Sequence, residues 1–215
     1  MKPVSKLNSI IESERKIEGD HVVALLLVKP SDSNANEYIE KFNYYHYLSD
    51  KYVSIYLIGY SNDFCGEYPD AVVAGKIDNR ELQYSDKCFI ETCNEIKDIL
   101  KNWNYSGEPE LIVLQNRSAN NPYKVLDFSN YNYIDINYGI EKGYLDSFPR
   151  FMERFIRACK KEVEAYAAIK TANRYRIKPR NVIEYTIELT PKISAPVKKI
   201  LKDRLFYKSS NCRSA

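Results

Sequence analysis

The stretch His21-Val22-Val23-Ala24-Leu25-Leu26-Leu27-Val28-Lys29, closed by Pro30, decides the fold. Its apolar residues follow one another without polar alternation. Such a run predicts a strand buried on both faces, the mark of a central strand in an α/β sheet. It is far shorter than the ~20 residues a membrane-spanning helix needs.

Working downstream, Ser31-Asp32-Ser33 offers N-cap chemistry for a helix that carries Tyr38, Ile39, Phe42, Tyr45 and Leu48 at helical spacing. A second strand over 52–59 completes a βαβ unit with a right-handed crossover. Upstream, residues 4–17 read as a helix, with Leu7, Ile10 and Ile11 on one side. A loop over 61–70 leads to a short strand over 71–77. Ser85 then caps a helix that reaches about Trp103. Strands follow at 110–114 and 123–128, joined by the turn-forming Ser118-Ala119-Asn120-Asn121-Pro122.

The clearest helical pattern begins at Phe148. Phe151, Met152, Phe155, Ile156, Cys159, Val163 and Tyr166 share one face, Asp146 or Ser147 serves as cap, and Pro149 falls in the first turn. Beyond Pro179 the alternation Ile183, Tyr185, Ile187, Leu189 predicts a strand, and 194–206 a basic amphipathic helix. The expected architecture is an α/β domain over 1–170, a mixed sheet with helices on both faces. A basic strand–helix extension over 171–215 follows it.

Charge is unevenly distributed. Residues 1–149 hold 15 Lys+Arg against 23 Asp+Glu, a net of −8, while residues 150–215 hold 17 against 6, a net of +11. The formal total of +3 hides this polarity. A basic end on an acidic body suits a polyanion or an acidic partner, or a tail that folds back on its own body. The 19 tyrosines, clustered as Tyr44, Tyr45, Tyr47 and Tyr131, Tyr133, Tyr138, can bury ring area while keeping a polar tip wet. They read first as core margin, with a contact surface for a partner as the alternative. The N-terminal residues are charged and mixed, unlike a secretory signal, and the five cysteines include no Cys-x-x-Cys. A cytoplasmic protein with reduced thiols and no membrane span is expected.

Catalytic and cofactor patterns are sparse. The glycines are scattered and write no phosphate loop, so no cofactor is expected. His21 and His46 are the only histidines, Cys88 and Cys93 sit five apart, and no metal site is expected. Asp70 with Glu95-Ile96-Lys97 lines up with a metal-dependent nuclease template, but that template needs its Glu and Lys on a strand and these fall in a helical stretch. An enzyme of unrecognised type, a nuclease or hydrolase with its site near 61–84, is the alternative reading.

The order strand–helix–strand, then helix, two adjacent strands and a helix resembles the thioredoxin fold over about residues 20–170. Pro109 stands directly before the third strand, where that family carries a cis-proline. The family's Cys-x-x-Cys place, however, reads Pro30-Ser31-Asp32-Ser33-Asn34-Ala35-Asn36, so the resemblance implies a redox-inactive member. Trp103-x-Tyr105-Ser106-Gly107-Glu108-x-Glu110-Leu111-Ile112 is also similar to stretches in uncharacterised bacterial proteins of defence-related operons.

The basic end is the leading candidate site. Arg150, Arg154, Arg157 and Lys161 recur at i, i+4, i+7 and i+11 opposite the apolar face. Arg174, Arg176, Lys178 and Arg180 follow, interleaved with Tyr175, and Lys198, Lys199 and Lys202 stand on the last helix. Several cations within reach of one phosphate backbone are what polyanion binding requires. The expected function is a non-catalytic binding or adaptor module that presents this surface to nucleic acid or to an acidic protein.

Overall fold

A computed structural model describes residues 2–32, 35–49, 52–77, 80–100, 103–117, 125–162, 164–173 and 207–211. The run that begins at His21 is a strand, His21–Leu27, buried at every position. Preceding it are a short strand β1 (Lys2–Val4) and helix α1 (Leu7–Arg15), which makes the central strand β2. The helical reading of 4–17 therefore missed a strand. Three residues are too few to display a period.

The crossover after β2 is built from two short helices, α2 (Ala35–Glu40) and α3 (Phe42–Ser49), and returns to β3 (Val53–Ile58). β3 lies parallel to β2, with Leu25 beside Tyr56, and β1 lies parallel to β3 on its other side. This is the expected strand–helix–strand unit.

The segment between β3 and the next long helix contains a small separate sheet. Its strands β4 (Tyr60–Ser61), β5 (Val72–Ile77) and β6 (Arg80–Tyr84) run in the order β4-β6-β5. β5 is the strand expected over 71–77. β6 escaped because Arg80-Glu81-Leu82-Gln83-Tyr84 is largely charged or polar and shows no apolar run.

Helix α4 (Asp86–Ile99) begins where the Ser85 hydroxyl accepts the Cys88 N–H, as the cap chemistry predicts. β7 (Glu110–Asn116) runs antiparallel to β2 and is also fully buried. Pro109 enters it through a trans peptide bond, unlike the cis-proline that the resemblance implies. β8 (Leu126–Asp135) pairs antiparallel with β7 and runs further than the 123–128 expected. The connecting turn 118–122 and the start of that predicted strand lie outside the described residues.

A single turn and a half of helix, α5 (Ile136–Glu141), follows with Asp135 as its cap. Helix α6 (Phe148–Cys159) has Ser147 at its cap and Pro149 in its first turn. It ends at Cys159 and does not run on to Tyr166. A separate helix α7 (Ala165–Asn173) takes over, its first N–H fixed by the Gln115 side chain of β7 at 2.9 Å. The predicted strand 183–189 and helix 194–206 lie outside the described residues. Strand β9 (Tyr207–Asn211), which the sequence reading did not contain, pairs antiparallel with β8.

The main sheet thus has the order β1-β3-β2-β7-β8-β9 and is mixed: parallel among its first three strands, antiparallel beyond β2. The chain is an α/β protein. Alternating side chains of β2 and β7 are buried throughout, so both faces of the sheet are covered. The helices fall into two packed groups, α1 with α4, and α2 and α3 with α6 and α7. Among the described residues, no helix is long and apolar enough to cross a membrane.

Candidate polyanion-binding surface

α6 owes its position to a continuous apolar face. Phe148, Phe151, Met152, Phe155, Ile156 and Cys159 are all buried, and the Phe151 and Phe155 rings stack with centroids 6.0 Å apart. Burying that face fixes which side chains remain outside. Arg150 and Arg157 are exposed on the opposite side, and Lys160 and Lys161 are exposed in the turn that closes the helix. The Lys161 N–H still bonds the Ala158 carbonyl at 2.9 Å, so the last cations continue the helical path for half a turn. Arg150, Arg157 and Lys161 have no carboxylate partner among the described residues.

Arg154 behaves differently from its place in the expected stripe. Its guanidinium turns back along the helix to Asp146, 3.1 Å away, and both side chains are half-buried. It ties the segment before the helix to the helix itself. Arg174, Arg176, Lys178, Arg180, Lys198, Lys199 and Lys202 lie outside the described residues.

Two features beside α6 were not assigned by the spacing argument. Lys160 lies 5.4 Å from the centre of the Tyr52 ring, a cation–π contact that fixes its stem. On α3, Tyr44 and Tyr47 turn outward, 44% and 72% exposed, while Tyr45 between them is fully buried. The tyrosine cluster is thus divided between core margin and surface. Only the helical phase of Phe42 and Tyr45 in the core could have signalled which tyrosine goes where.

The places considered for chemistry carry structural duties. Asp70 accepts from the Ser85 hydroxyl at 2.9 Å and from the Lys87 N–H at 3.0 Å, so it anchors the start of α4. The Lys87 N–H in particular holds its carboxyl below the ordinary range. Glu95 accepts the Leu7 N–H at 3.0 Å and fastens α1 to α4. It stands on a helix with Lys97, so the nuclease template is not assembled. Around the small sheet, Asp63 accepts the Cys65 N–H at 2.7 Å, and Glu67 pairs with Lys6. Among the described residues, no group of three or more His, Cys, Asp or Glu could hold a metal ion.

At the helix start after β2, Asp32 accepts the Lys29 N–H at 2.7 Å, a tight local turn. Burial raises the Asp32 carboxyl despite that bond, and Glu108 adds to the rise. The described thiols are not activated either. Burial pushes Cys88 up to about 11 and Cys93 up to about 12, and it raises Cys159 as well. Exposed Cys65 is raised by its hydrogen bond to Asp63. Cys212 lies outside the described residues.

One buried polar cluster went unrecognised in the sequence. Glu14 of α1, fully buried, accepts from the Tyr56 hydroxyl at 2.6 Å and the Asn116 amide at 2.9 Å, and pairs with His21 Nε2 at 2.7 Å. Burial opposes the charge on both partners, yet the mutual hydrogen bond and attraction leave Glu14 lowered and His21 raised. Four elements, α1, β2, β3 and β7, meet here around buried side chains. It serves the fold.

No family model, no curated protein and no solved structure shows a significant match to the chain.

Proposed function

We propose that this protein is a non-catalytic binding module that holds a polyanion against α6 and the basic region that follows it. The observation that carries the reading is the exposed set Arg150 and Arg157 on α6 and Lys161 in the turn that closes it, with no carboxylate partner among the described residues, on an element whose other side is locked in the core. Cations held at fixed spacing on a rigid element lose little freedom on binding, unlike those on a loose tail. The further positive residues of 171–215 add to the field without being needed to define the surface.

The fold reading belongs to the same proposal. A sheet ordered β1-β3-β2-β7-β8, with the βαβ unit at its centre and an antiparallel pair beyond, supports a thioredoxin-like domain. The absence of cysteine from the helix start after β2, and the raised thiols elsewhere, support a redox-inactive one.

The test is retention on immobilised heparin, a polyanion without bases. Wild type should bind at low salt, and Arg150→Glu/Arg157→Glu should elute at clearly lower salt with an unchanged melting temperature. Retention that is identical in the two proteins contradicts the reading. Binding to a polyglutamate column but not to heparin turns it toward an acidic protein partner.

A further inference from the structure

The outward tyrosines of α3 bear on what kind of polyanion the surface takes. Tyr45 of α3 meets Phe148 at the start of α6 edge-on, with ring centroids 6.4 Å apart. Tyr52, three residues past α3, lies under Lys160, the residue after α6. α3 thus packs against α6, and the segment after α3 reaches the turn that closes α6. Packed helices are about 8–10 Å apart, so α3 and α6 are neighbours on the same side of the sheet. α6 and the turn that closes it contribute exposed cations, and α3 contributes the two exposed tyrosines.

Each ring touches its chain neighbour. Tyr44 tilts against the buried Tyr45 at 5.7 Å, and Tyr47 packs edge-on against His46 at 5.6 Å. Exposed tyrosine rings thus stand on the helix that packs beside the exposed cations. This arrangement matches what single-stranded nucleic acid requires: a positive track for the phosphates and flat rings for unpaired bases. Duplex hides its bases, and an acidic protein surface offers carboxylates without π faces to stack.

Resting on the polyanion reading, we infer that the ligand is single-stranded nucleic acid, with Tyr44 and Tyr47 stacking on bases while Arg150, Arg157 and Lys161 hold the adjoining phosphates. The stacking is sequence-tolerant, since every base has a π face.

The experiment measures anisotropy of labelled oligo-dT, of a duplex of equal length and of labelled heparin, with wild type, Tyr44→Ala/Tyr47→Ala, Tyr47→Ala alone and Tyr44→Phe/Tyr47→Phe. All these positions are exposed, and Tyr47→Ala guards against a fold effect at Tyr44. Oligo-dT should bind more tightly than duplex. The double alanine variant should lose about tenfold or more for oligo-dT, the phenylalanine pair should retain binding, and heparin should be unaffected. Equal binding of oligo-dT by wild type and the alanine variants, with heparin still bound, overturns the stacking inference and leaves the polyanion reading intact. Failure of wild type to bind heparin or either nucleic acid overturns both.

Discussion

At the scale of single residues, the Glu14–His21 pair carries a pH dependence whose sign can be worked out. His21 is raised above its ordinary 6.5, so its contribution is complete below 6.5 and is lost as pH rises through the higher folded value. Glu14 is lowered below its ordinary 4.5, so its contribution is complete above 4.5 and is lost as pH falls through the lower folded value. The pair therefore stabilises most between about pH 4.5 and 6.5, and the fall above that window is the histidine's. Urea unfolding across pH should show this alkaline decline in wild type and lose it in Glu14→Gln. That variant should also be less stable by about 3–5 kcal/mol inside the window, because it breaks a buried pair. Parallel pH profiles for the two proteins would remove the pair from the account. A second residue, Gly59, has φ +82°, and a Cβ there would lie 2.7 Å from the Phe89 Cβ. Gly59→Ala should cost about 2–4 kcal/mol, through left-handed strain and the forced retreat of α4. A thermal melt unchanged from wild type would show that α4 can give way.

At the scale of elements, α6 is where the basic surface and the core depend on each other. Phe155 is fully buried and stacked on Phe151, and Phe155→Ala should lower stability by about 3–5 kcal/mol. An unshifted denaturation midpoint would mean that the helix is not anchored as described. Elements with long, uninterrupted patterns were legible: β2 from its unbroken apolar run, α6 from six apolar positions, a cap and a proline. The strands β1, β6 and β9 were not. β1 and β9 are short pieces at the edges of the main sheet and β6 is a short strand inside the small one; all carry mixed residues, and only neighbouring strands make them extended. The break between α6 and α7 was hidden because Val163 and Tyr166 continue the apolar spacing, while the Gln115 bond that starts α7 comes from 50 residues away. The candidate site divides in the same way. Arg150, Arg157 and Lys161 follow from the phase of the apolar face, whereas the diversion of Arg154 to Asp146 depends on the fold of the preceding segment. The Glu14 cluster draws partners from 42 and 102 residues away, a convergence that no local pattern encodes.

For the whole molecule, two expectations separate a binding module from a thiol–disulfide enzyme. With no cysteine at the helix start after β2 and the described thiols raised, the protein should give no dithiothreitol-dependent insulin reduction above background. A rate that disappears in Cys88→Ser or Cys93→Ser would contradict that expectation. The central claim is that fixed cations on α6 neutralise phosphates. It is tested most directly by the salt dependence of nucleic-acid affinity, which counts the charges engaged. Log affinity for duplex should fall linearly with log salt, and for single strands at about 0.7 per phosphate neutralised, against about 0.9 on duplex. Arg150→Glu/Arg157→Glu should flatten the duplex slope by about two units while melting like wild type. A slope that is the same in wild type and the double variant would place the contacts elsewhere on the molecule and contradict the account.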